Sequence, residues 1–339
     1  VRAALTVTFG PPKRGLLVFP GREHAGRIVA AEIGFHPLED GGDVARLITP
    51  AWARTHLAPV APGAHKGQMG LVSVVAGRIG MAGAAVLCGL GALRSGAGKV
   101  RIAANEANRT VIQSTVPEAL FVDRDAPDAA EQMEDSKALV AGPGMGSDDG
   151  DHRFLREIAG RGDGPLLLDA DAVTILARHP DLRDAIDRPL LLTPHPGEMA
   201  RLLGRETKAI TADPFGAAAE AAERFRCTVL LKGTGVSLVA EPGKPMLVNV
   251  AGHSGIATGG MGDVLGGIAG ALLAAGAEPR IAAALALFYA GRAAEIAGRG
   301  RGLLPRDVVD SIPAAMMDDG SAEGDALLPG VLLDLHAAY

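Results

Sequence analysis

The chain has 339 residues, which is enough for one large or two small globular domains with a substantial core. Hydrophobic residues make up 48% of it and charged residues 21%, proportions that indicate a folded rather than a disordered protein. Its 33 Lys and Arg residues are outnumbered by 39 Asp and Glu residues, and only 3% of its residues are aromatic. The net charge of −6 and the scarcity of stacking side chains disfavour nucleic acid as a partner.

The two cysteines, Cys88 and Cys227, lie far apart and form no CxxC pair. This spacing disfavours a disulfide scaffold and a cysteine-based zinc site, and we interpret both residues as small buried side chains of a cytoplasmic protein. The longest uncharged stretch, Val264–Ala277, is too short to span a bilayer and predicts a buried helix. The start lacks a methionine and a signal-peptide pattern, so we expect the chain to be either the end of a longer protein or the product of a gene whose start was trimmed.

The first 64 residues are irregular, whereas a regular alternation of strands and helices follows them. Two strands are predicted at Leu5–Phe9 and Leu16–Phe19, and the Pro-rich residues 37–64 are predicted to be a linker or a segment that crosses the surface. Six later strands are predicted at Leu71–Ala76, Lys99–Ala103, Ala138–Ala141, Leu166–Asp169, Leu190–Thr193 and Val229–Lys232. Helices are predicted between them at Met81–Leu93, His152–Ala159, Glu198–Leu203 and Pro214–Arg226. This rhythm predicts an α/β fold with a mostly parallel sheet between two layers of helices.

The last third of the chain has a different pattern. Two short apolar runs flank a Pro/Gly turn and predict a hairpin of Val236–Ala240 and Met246–Val250. Three helices are predicted after it, at Asp263–Ala275, Arg280–Ala297 and Pro305–Ala315, and the acidic residues Asp318–Asp325 are expected to be exposed.

Two common phosphate-binding motifs are not satisfied. The nearest match to a P-loop, around Gly98 and Lys99, fails at two required positions. Gly142-Pro143-Gly144-Met145-Gly146-Ser147 has a serine where a dinucleotide fingerprint needs its last glycine. These departures argue against a P-loop NTPase and against a Rossmann dehydrogenase.

A glycine-rich segment carries the densest signal, with five glycines among the eleven residues 252–262. It precedes a predicted helix, so its bare backbone amides would form an anion site at the helix N-terminus. Asp263 follows at once, and two interpretations remain open for it. It could cap the helix, or it could accept a proton from an attacking hydroxyl; the second explains the glycines better.

Three other loops follow predicted strands at the same edge of the sheet. Lys232-Gly233-Thr234-Gly235 could be a plain turn with a solvated lysine. His195 and Glu198 lie beside two prolines, a setting that disfavours zinc. Asp169 and Asp171 could hold a divalent cation, although capping of the next helix is the default. Four such loops together indicate a ligand site more strongly than any single one.

The ordered set of these motifs resembles the NAD(P)H-hydrate dehydratases, which share the ribokinase-like three-layer αβα fold. The matching segments are His65-Lys66-Gly67-Gln68-Met69-Gly70, Gly142–Gly146, Leu168–Ala172, Thr193–Glu198, Lys232-Gly233 and Ala257–Asp263. Residues 1–45 resemble the end of an NAD(P)H-hydrate epimerase domain plus a linker. On this basis we expect a dehydratase domain at 46–316 and a tail at 317–339.

The resemblance implies a repair reaction on the S form of hydrated NADH or NADPH, in which ADP or ATP phosphorylates the ring hydroxyl and phosphate then leaves. It implies that Asp263 is the base, that Mg²⁺ bridges the phosphates and that the protein is a homo-oligomer. The implied nucleotide-binding residues are Lys232, Gly233, Thr234, Gly235, Val236, His253, Ser254, Gly255, Ile256, Ala257, Thr258, Gly259, Gly260, Met261 and Gly262. The implied substrate-binding residues are Ala84, Gly146, His195, Pro196, Gly197, Glu198, Met199, Ala200, Arg201 and Asp263.

Two other functions are compatible with part of this pattern. A ribokinase-like vitamin or sugar kinase would share the glycine-rich segment and Asp263, but not His65–Gly70 or Thr193–Glu198. A catalytically idle nucleotide-binding remnant would have no need of Asp263.

Overall fold

The computed structural model describes residues 1–36, 44–60, 62–63, 67, 69–233, 236–318 and 331–335. Its strands are β1 Leu5–Phe9, β2 Arg27–Ala31, β3 Ala45–Leu47, β4 Leu71–Val75, β5 Lys99–Ala104, β6 Leu120–Asp123, β7 Ala138–Ala141, β8 Leu166–Leu168, β9 Leu190–Leu192, β10 Thr228–Leu231, β11 Ser237–Ala240, β12 Met246–Asn249 and β13 Val331–Leu335. Its helices are α1 Arg14–Leu17, α2 Gly21–Ala25, α3 Pro50–His56, α4 Ala82–Arg94, α5 Arg109–Thr115, α6 Asp149–Ala159, α7 Ala170–Arg178, α8 Pro196–Leu203, α9 Thr207–Ala212, α10 Pro214–Phe225, α11 Met261–Ala274, α12 Pro279–Ala297 and α13 Pro305–Met317.

The main sheet has the order β3-β12-β11-β10-β9-β8-β7-β4-β5-β6 within the described part of the chain. Its strands from β10 to β6 are all parallel, whereas β11 is antiparallel to both of its neighbours. The predicted parallel sheet and the predicted hairpin are therefore confirmed. Strands β5 and β6 lie on one side of β4, whereas β7 to β10 lie on its other side. The strand order therefore reverses between β4 and β7.

Both faces of the main sheet are buried, which makes the fold three-layered. Along the central strands, alternate side chains enter two different cores. Leu167 belongs to the core formed with α4, α11, α12 and α13, while its neighbours Leu166 and Leu168 belong to the core formed with α6, α7, α8 and α10. The near-continuous apolar runs in the sequence follow from this double burial.

The α11 helix lies unusually close to α4 because glycines remove side chains from the contact. A Cβ atom on Gly91 would lie 2.7 Å from the carbonyl oxygen of Val264, and one on Gly267 would lie 2.1 Å from that of Cys88. Substitutions there would push the helices apart and displace the N-terminus of α11. Both cysteines are buried and free, as predicted.

Strands β1 and β2 form a second sheet, in which they are parallel and β13 pairs antiparallel to β2. This sheet joins the two ends of the chain. The predicted strand at Leu5–Phe9 is thus confirmed, and the tail contributes a strand that the sequence did not indicate.

Two predictions for the first 64 residues are wrong. Leu16–Phe19 was predicted as a strand, but α1 covers Arg14–Leu17, because β1 pairs in parallel with β2 and the crossover between parallel strands contains α1 and α2. The predicted linker 37–64 contains β3, which pairs with β12, and α3, whose N-cap Thr49 accepts a hydrogen bond from the Trp52 amide. Residues 37–43 of this linker lie outside the described part of the chain.

The remaining predicted elements agree with the structure to within three residues at each end. The uncharged stretch at Val264–Ala277 contains most of α11, which is buried from Val264 onward. In the described ranges, no helix combines the length and apolarity that a bilayer crossing requires.

Candidate active site

A cavity of about 520 Å³ opens at the carboxyl ends of β8, β9 and β10, facing the N-terminus of α11. Its polar lining comes from loops that the sequence placed at one edge of the sheet, which confirms that they converge. The lining residues used below are Phe19, Asp169, Ala170, His195, Pro196, Glu198, Lys232, Gly233, Val236, His253, Ser254, Ile256, Ala257, Thr258, Gly260, Met261, Gly262 and Asp263.

The first turn of α11 points its backbone amides at this cavity. Gly260 is the N-cap, in a left-handed conformation with φ of +92°. A Cβ atom there would lie 2.7 Å from the Leu87 side chain and 3.1 Å from Pro305, so only glycine fits. The amides of Met261, Gly262 and Asp263 follow and have no partner within the helix. They are the donors that the predicted anion site would use.

Asp263 is the third residue of α11 and does not cap it. The cap position belongs to Gly260, and no side-chain capping bond is present at this helix end. The capping interpretation of Asp263 is therefore wrong. Its carboxylate instead lines the cavity beside the free amides.

Lys232 and Asp169 form an ion pair below the same turn. The Lys232 Nζ atom donates to the Asp169 Oδ1 atom at 2.6 Å, and the Thr193 hydroxyl donates to that oxygen at 2.8 Å. The Asp169 side chain is 2% exposed and that of Lys232 is 21% exposed. Lys232 is thus held within the site rather than solvated. Asp169 occupies the N-cap position of α7, as the default interpretation expects, but its side chain makes no capping bond there and is bound to Lys232 instead.

The two carboxylates of the site have different electrostatic environments. The pKa of Asp263 is raised to about 7, chiefly by burial and then by the repulsion of Asp169 and Asp171, while the attraction of Lys232 opposes the rise. Burial alone would lower the pKa of Lys232, but Asp169, Glu198 and Asp263 raise it overall. Lys232 therefore stays charged near neutral pH. A carboxylate whose pKa lies near 7, beside one bound to a lysine, is the pattern of a general base and its supporting acid.

The turn after β8 is strained where it meets the cavity. Ala170 has φ of +45°, a left-handed conformation that costs a non-glycine residue about 1 kcal/mol. The next residue, Asp171, accepts a hydrogen bond from the Gly146 amide at 2.9 Å. The turn thereby directs Asp169 toward Lys232 and fixes the loop after β7.

His195 caps α8 with its imidazole. Its Nδ1 atom accepts from the amides of Gly197 at 2.9 Å and Glu198 at 3.3 Å, while Glu198 accepts from the His195 amide at 2.8 Å. The ring proton therefore lies on Nε2, which is 3.2 Å from the Glu198 Oε1 atom. The polar residues of this loop thus bond to each other and to the helix end, and neither ring nitrogen of His195 is available to bind zinc.

His253 has the same role in the glycine-rich segment. Its Nδ1 atom accepts from the Gly255 amide at 3.0 Å, and its Nε2 atom lies 3.2 Å from the carbonyl oxygen of Ala294 on α12. Gly252 donates to Glu295 of the same helix at 2.6 Å. The segment is therefore anchored to α12 before it reaches the N-terminus of α11.

Not every predicted binding residue reaches the cavity. Met199 is fully buried and Ala200 nearly so, because successive residues of α8 face different sides and these two face the core. Ala84 is buried against the loop at Gly144. Thr234 and Gly235 lie outside the described residues, as do His65, Lys66 and Gln68 of the first motif. The other predicted residues that do not line the cavity are Gly146, Gly197, Arg201, Gly255 and Gly259.

The sequence singled out Asp169 as a possible cation ligand or helix cap but did not predict its ion pair with Lys232. Four lining residues were missed and carried no sequence signal, because the fold alone brings them to the site: Phe19, Asn249, Leu287 and Val308.

Comparison with known proteins gives a consistent result. The family model for NAD(P)H-hydrate dehydratase matches residues 72–314. A bifunctional NAD(P)H-hydrate repair enzyme from Moorella thermoacetica is 35% identical over 329 residues, covering 92% of this chain and 62% of the relative. The chain thus spans about three fifths of the length of that relative.

Solved structures agree with this result. The ADP/ATP-dependent NAD(P)H-hydrate dehydratase from Bacillus subtilis, co-crystallised with ATP and Mg²⁺, has a TM-score of 0.72 at 28% identity and covers 82% of this chain and 99% of its own. A ribokinase-like superfamily protein from Enterococcus faecalis has a TM-score of 0.72 at 21% identity, covering 84% of this chain and 99% of its own, and confirms the ribokinase-like fold. With most of its length matched by the family model, the chain belongs to the NAD(P)H-hydrate dehydratase family.

Proposed function

We propose that the chain restores NADH and NADPH from the S form of their hydrates, using ADP or ATP as the phosphoryl donor. The observation that carries this proposal is the position of Asp263 at the N-terminus of α11. It lies in the cavity with a pKa near 7, beside free amides and the Asp169–Lys232 pair. Family membership and the ATP/Mg²⁺ complex of the Bacillus subtilis relative support the choice of reaction.

The nucleotide phosphates would bind at the first turn of α11. The amides of Met261, Gly262 and Asp263 supply donors, the helix dipole adds positive potential, and Lys232 supplies a cation. A Cβ atom on Gly262 would lie 3.4 Å from the Lys232 Nζ atom, so the amine and the helix end bracket one small volume. Gly233, Val236 and the residues from His253 to Thr258 that line the cavity would surround the rest of the nucleotide.

Asp263 would act on the hydroxyl of the hydrated ring. In its deprotonated form it takes the hydroxyl proton as that oxygen forms a bond to the terminal phosphoryl group of ADP or ATP. The bond to the leaving AMP or ADP breaks in the same displacement. Phosphate then leaves the ring with the former hydroxyl oxygen, a ring proton is lost, and the reduced nicotinamide is restored.

His195, Pro196 and Glu198 would hold the hydrated dinucleotide at the β9 end of the cavity. Both ring nitrogens of His195 are already hydrogen-bonded, Nδ1 to the Gly197 amide and Nε2 to Glu198. The pair would therefore contact the dinucleotide with an imidazole of fixed orientation and not with a free cation. Gly146 would contribute through the loop that Asp171 fixes. Five further substrate contacts stay predictions, because these residues do not line the cavity and would have to move to reach the ligand: Ala84, Gly197, Met199, Ala200 and Arg201.

Mg²⁺ fits this site only as an ion that arrives with the nucleotide. Among the described residues, no three His, Cys, Asp or Glu side chains are grouped to hold a metal. Asp169 is already bound to Lys232 and Thr193. Mg²⁺ is commonly held by phosphates, waters and one or two carboxylates, and when bound it would neutralise phosphate charge.

A vitamin or sugar kinase would use the same anion site and the same base. Family membership favours dehydration, and the two reactions differ in their products. A kinase releases a stable phosphorylated compound, whereas the dehydratase releases inorganic phosphate and reduced nicotinamide in equal amounts. An idle remnant would have no reason to keep Asp263 and Lys232 in this arrangement.

The deciding experiment incubates the purified chain with S-hydrated NADH, Mg²⁺ and either ADP or ATP. We expect the absorbance of reduced nicotinamide to return together with one phosphate per turnover, and only when nucleotide is present. Absence of recovery with both nucleotides, under conditions where the Bacillus subtilis enzyme is active, would contradict the proposal.

Two broader expectations accompany this function. We propose a cytoplasmic location, which two buried free cysteines support. We also propose a homo-oligomer, which light scattering of the purified chain would test.

A further inference from the structure

The amino-terminal segment, residues 1–31, packs against the main body although the family match begins at residue 72. Leu17, Ala25 and Ile28 belong to the core that also contains Phe215 of α10. The Arg14 guanidinium lies 4.6 Å from the centre of the Phe215 ring. The segment is therefore docked by apolar burial and by a cation–π contact, and it has a fixed position near the cavity.

Phe19 extends from this segment into the lining of the cavity. Its residue is 48% exposed, whereas Leu17, two positions earlier, is 6% exposed. Leu17 thus anchors the segment, while the ring of Phe19 leaves much of its apolar surface in contact with solvent. Burial of such a surface against a flat ligand would recover hydrophobic and stacking energy.

The remaining lining offers no comparable face. Phe19 is the one Phe, Tyr or Trp side chain among the described lining residues, in a chain with eight Phe, two Tyr and one Trp. The imidazoles of His195 and His253 are fixed by hydrogen bonds through Nδ1 to helix-end amides. Neither imidazole can reorient over a ligand without opening its cap.

We propose that Phe19 is a nucleotide-binding residue on which the purine base of the nucleotide stacks. The inference rests on the proposed function, because the phosphates of that nucleotide must lie at the N-terminus of α11. Its base must then contact another part of the lining, whose apolar residues include Phe19 and Val236. The amino-terminal segment, which lies outside the residues matched by the family model, would accordingly complete the nucleotide site.

The test compares Phe19→Ala and Phe19→Trp with Phe9→Ala. Phe9 is the matched control, since it belongs to the same segment, is 57% exposed and does not line the cavity. Calorimetry would measure the affinity of each protein for ADP, ATP and tripolyphosphate, which has phosphates but no base. Steady-state assays would give KM for nucleotide and for hydrated NADH separately, and melting temperatures would establish folding.

We expect Phe19→Ala to weaken ADP and ATP binding by about 5- to 150-fold, the range found for loss of base stacking. Tripolyphosphate affinity and KM for hydrated NADH should not change, Phe19→Trp should bind ADP like the parent, and Phe9→Ala should match the parent throughout.

An equal loss of tripolyphosphate affinity in Phe19→Ala would overturn the inference, because it would show a structural effect. A change confined to KM for hydrated NADH would also overturn it by assigning Phe19 to the other ligand. Unchanged ADP affinity in an active Phe19→Ala protein would refute the stacking role alone, whereas a parent that binds neither nucleotide would refute the proposed function as well.

Discussion

Replacement of Asp263 by Asn tests the centre of the proposed mechanism. The amide has the shape of the carboxylate but cannot accept the hydroxyl proton, and loss of a general base typically lowers turnover by about 10²–10⁴-fold. Affinity for ADP should be kept or improved, because the substitution removes a negative charge beside the phosphate site. The parent should show kcat/KM rising with pH through about 7, since Asp263 must be deprotonated to act and its pKa is raised to that value.

The same substitution should stabilise the protein above neutral pH. Folding raises the pKa of Asp263 from 3.8 to about 7, so the native state binds more protons than the unfolded state between these values. Stability contributed by this group is therefore present below pH 3.8 and lost as pH rises through 7, a loss of about 4 kcal/mol at most. The buried amide retains part of that cost, so we expect Asp263→Asn to gain about 1–3 kcal/mol at pH 8 and little at pH 4.

Asp307→Asn is a suitable control, because Asp307 occupies the same position in α13 but accepts a capping bond from the Leu304 amide at 2.8 Å. It should lose a little stability at pH 8 and keep full turnover. The measurements are denaturation at pH 4 and pH 8, ADP calorimetry and turnover with S-hydrated NADH. Near-normal turnover in a folded, ADP-binding Asp263→Asn protein would refute the assignment of the base.

Three further substitutions test the surroundings of Asp263. Gly262→Ala places a methyl group 3.4 Å from the Lys232 Nζ atom and should weaken ADP binding by about 10-fold, whereas Gly266→Ala, with only a Val140 methyl at 3.7 Å, should leave calorimetric affinity unchanged. Ala170→Gly and Arg226→Gly should each raise the free energy of unfolding by about 1 kcal/mol, because both residues have positive φ. Only Ala170→Gly should lower turnover, since Ala170 lies at the cavity and Arg226 does not line it. Destabilisation by either substitution would contradict the assigned backbone strain. Asp169→Asn should lower turnover by about 10- to 100-fold, because Asp169 holds Lys232 in place. It should also move the acidic limb of the pH profile to lower pH, because Asp169 raises the pKa of Asp263. An acidic limb at the same pH would contradict this effect of Asp169 on Asp263.

The main sheet could be predicted because its strands are buried on both faces. Val72, Val74 and Val75 enter two different cores, and such strands appear in a sequence as continuous apolar runs between turn residues. The short run at Leu16–Phe19 has no such context. A four-residue apolar run does not distinguish strand from helix, and here α1 needs only Leu17 to be buried.

The site could be predicted in part for a related reason. The glycines before α11 and Asp263 are close in sequence, so their relation is visible as a local pattern. Lys232 and Asp169 are 63 residues apart, and a plain turn with a solvated lysine was the favoured interpretation of Lys232 taken alone. Phe19 is farther still from the motifs and reaches the cavity only because the amino-terminal segment docks on α10.

Two energetically unfavourable features of the fold, the left-handed Ala170 and the buried Asp263 carboxylate, occur together at this cavity. Together they account for the proposed role of Asp263 as the base. Ala170 holds a left-handed conformation, and the strained turn directs the Asp169 carboxylate onto Lys232. With the lysine engaged, Asp263 lacks a direct cationic partner and its charge is disfavoured by burial, which is why its pKa lies near 7. A lysine released from Asp169 would pair with Asp263 instead, lower its pKa and weaken it as a base. The strain at Ala170 and the cost of burying Asp263 are therefore linked, since both maintain one carboxylate that is paired and one that is free to take a proton.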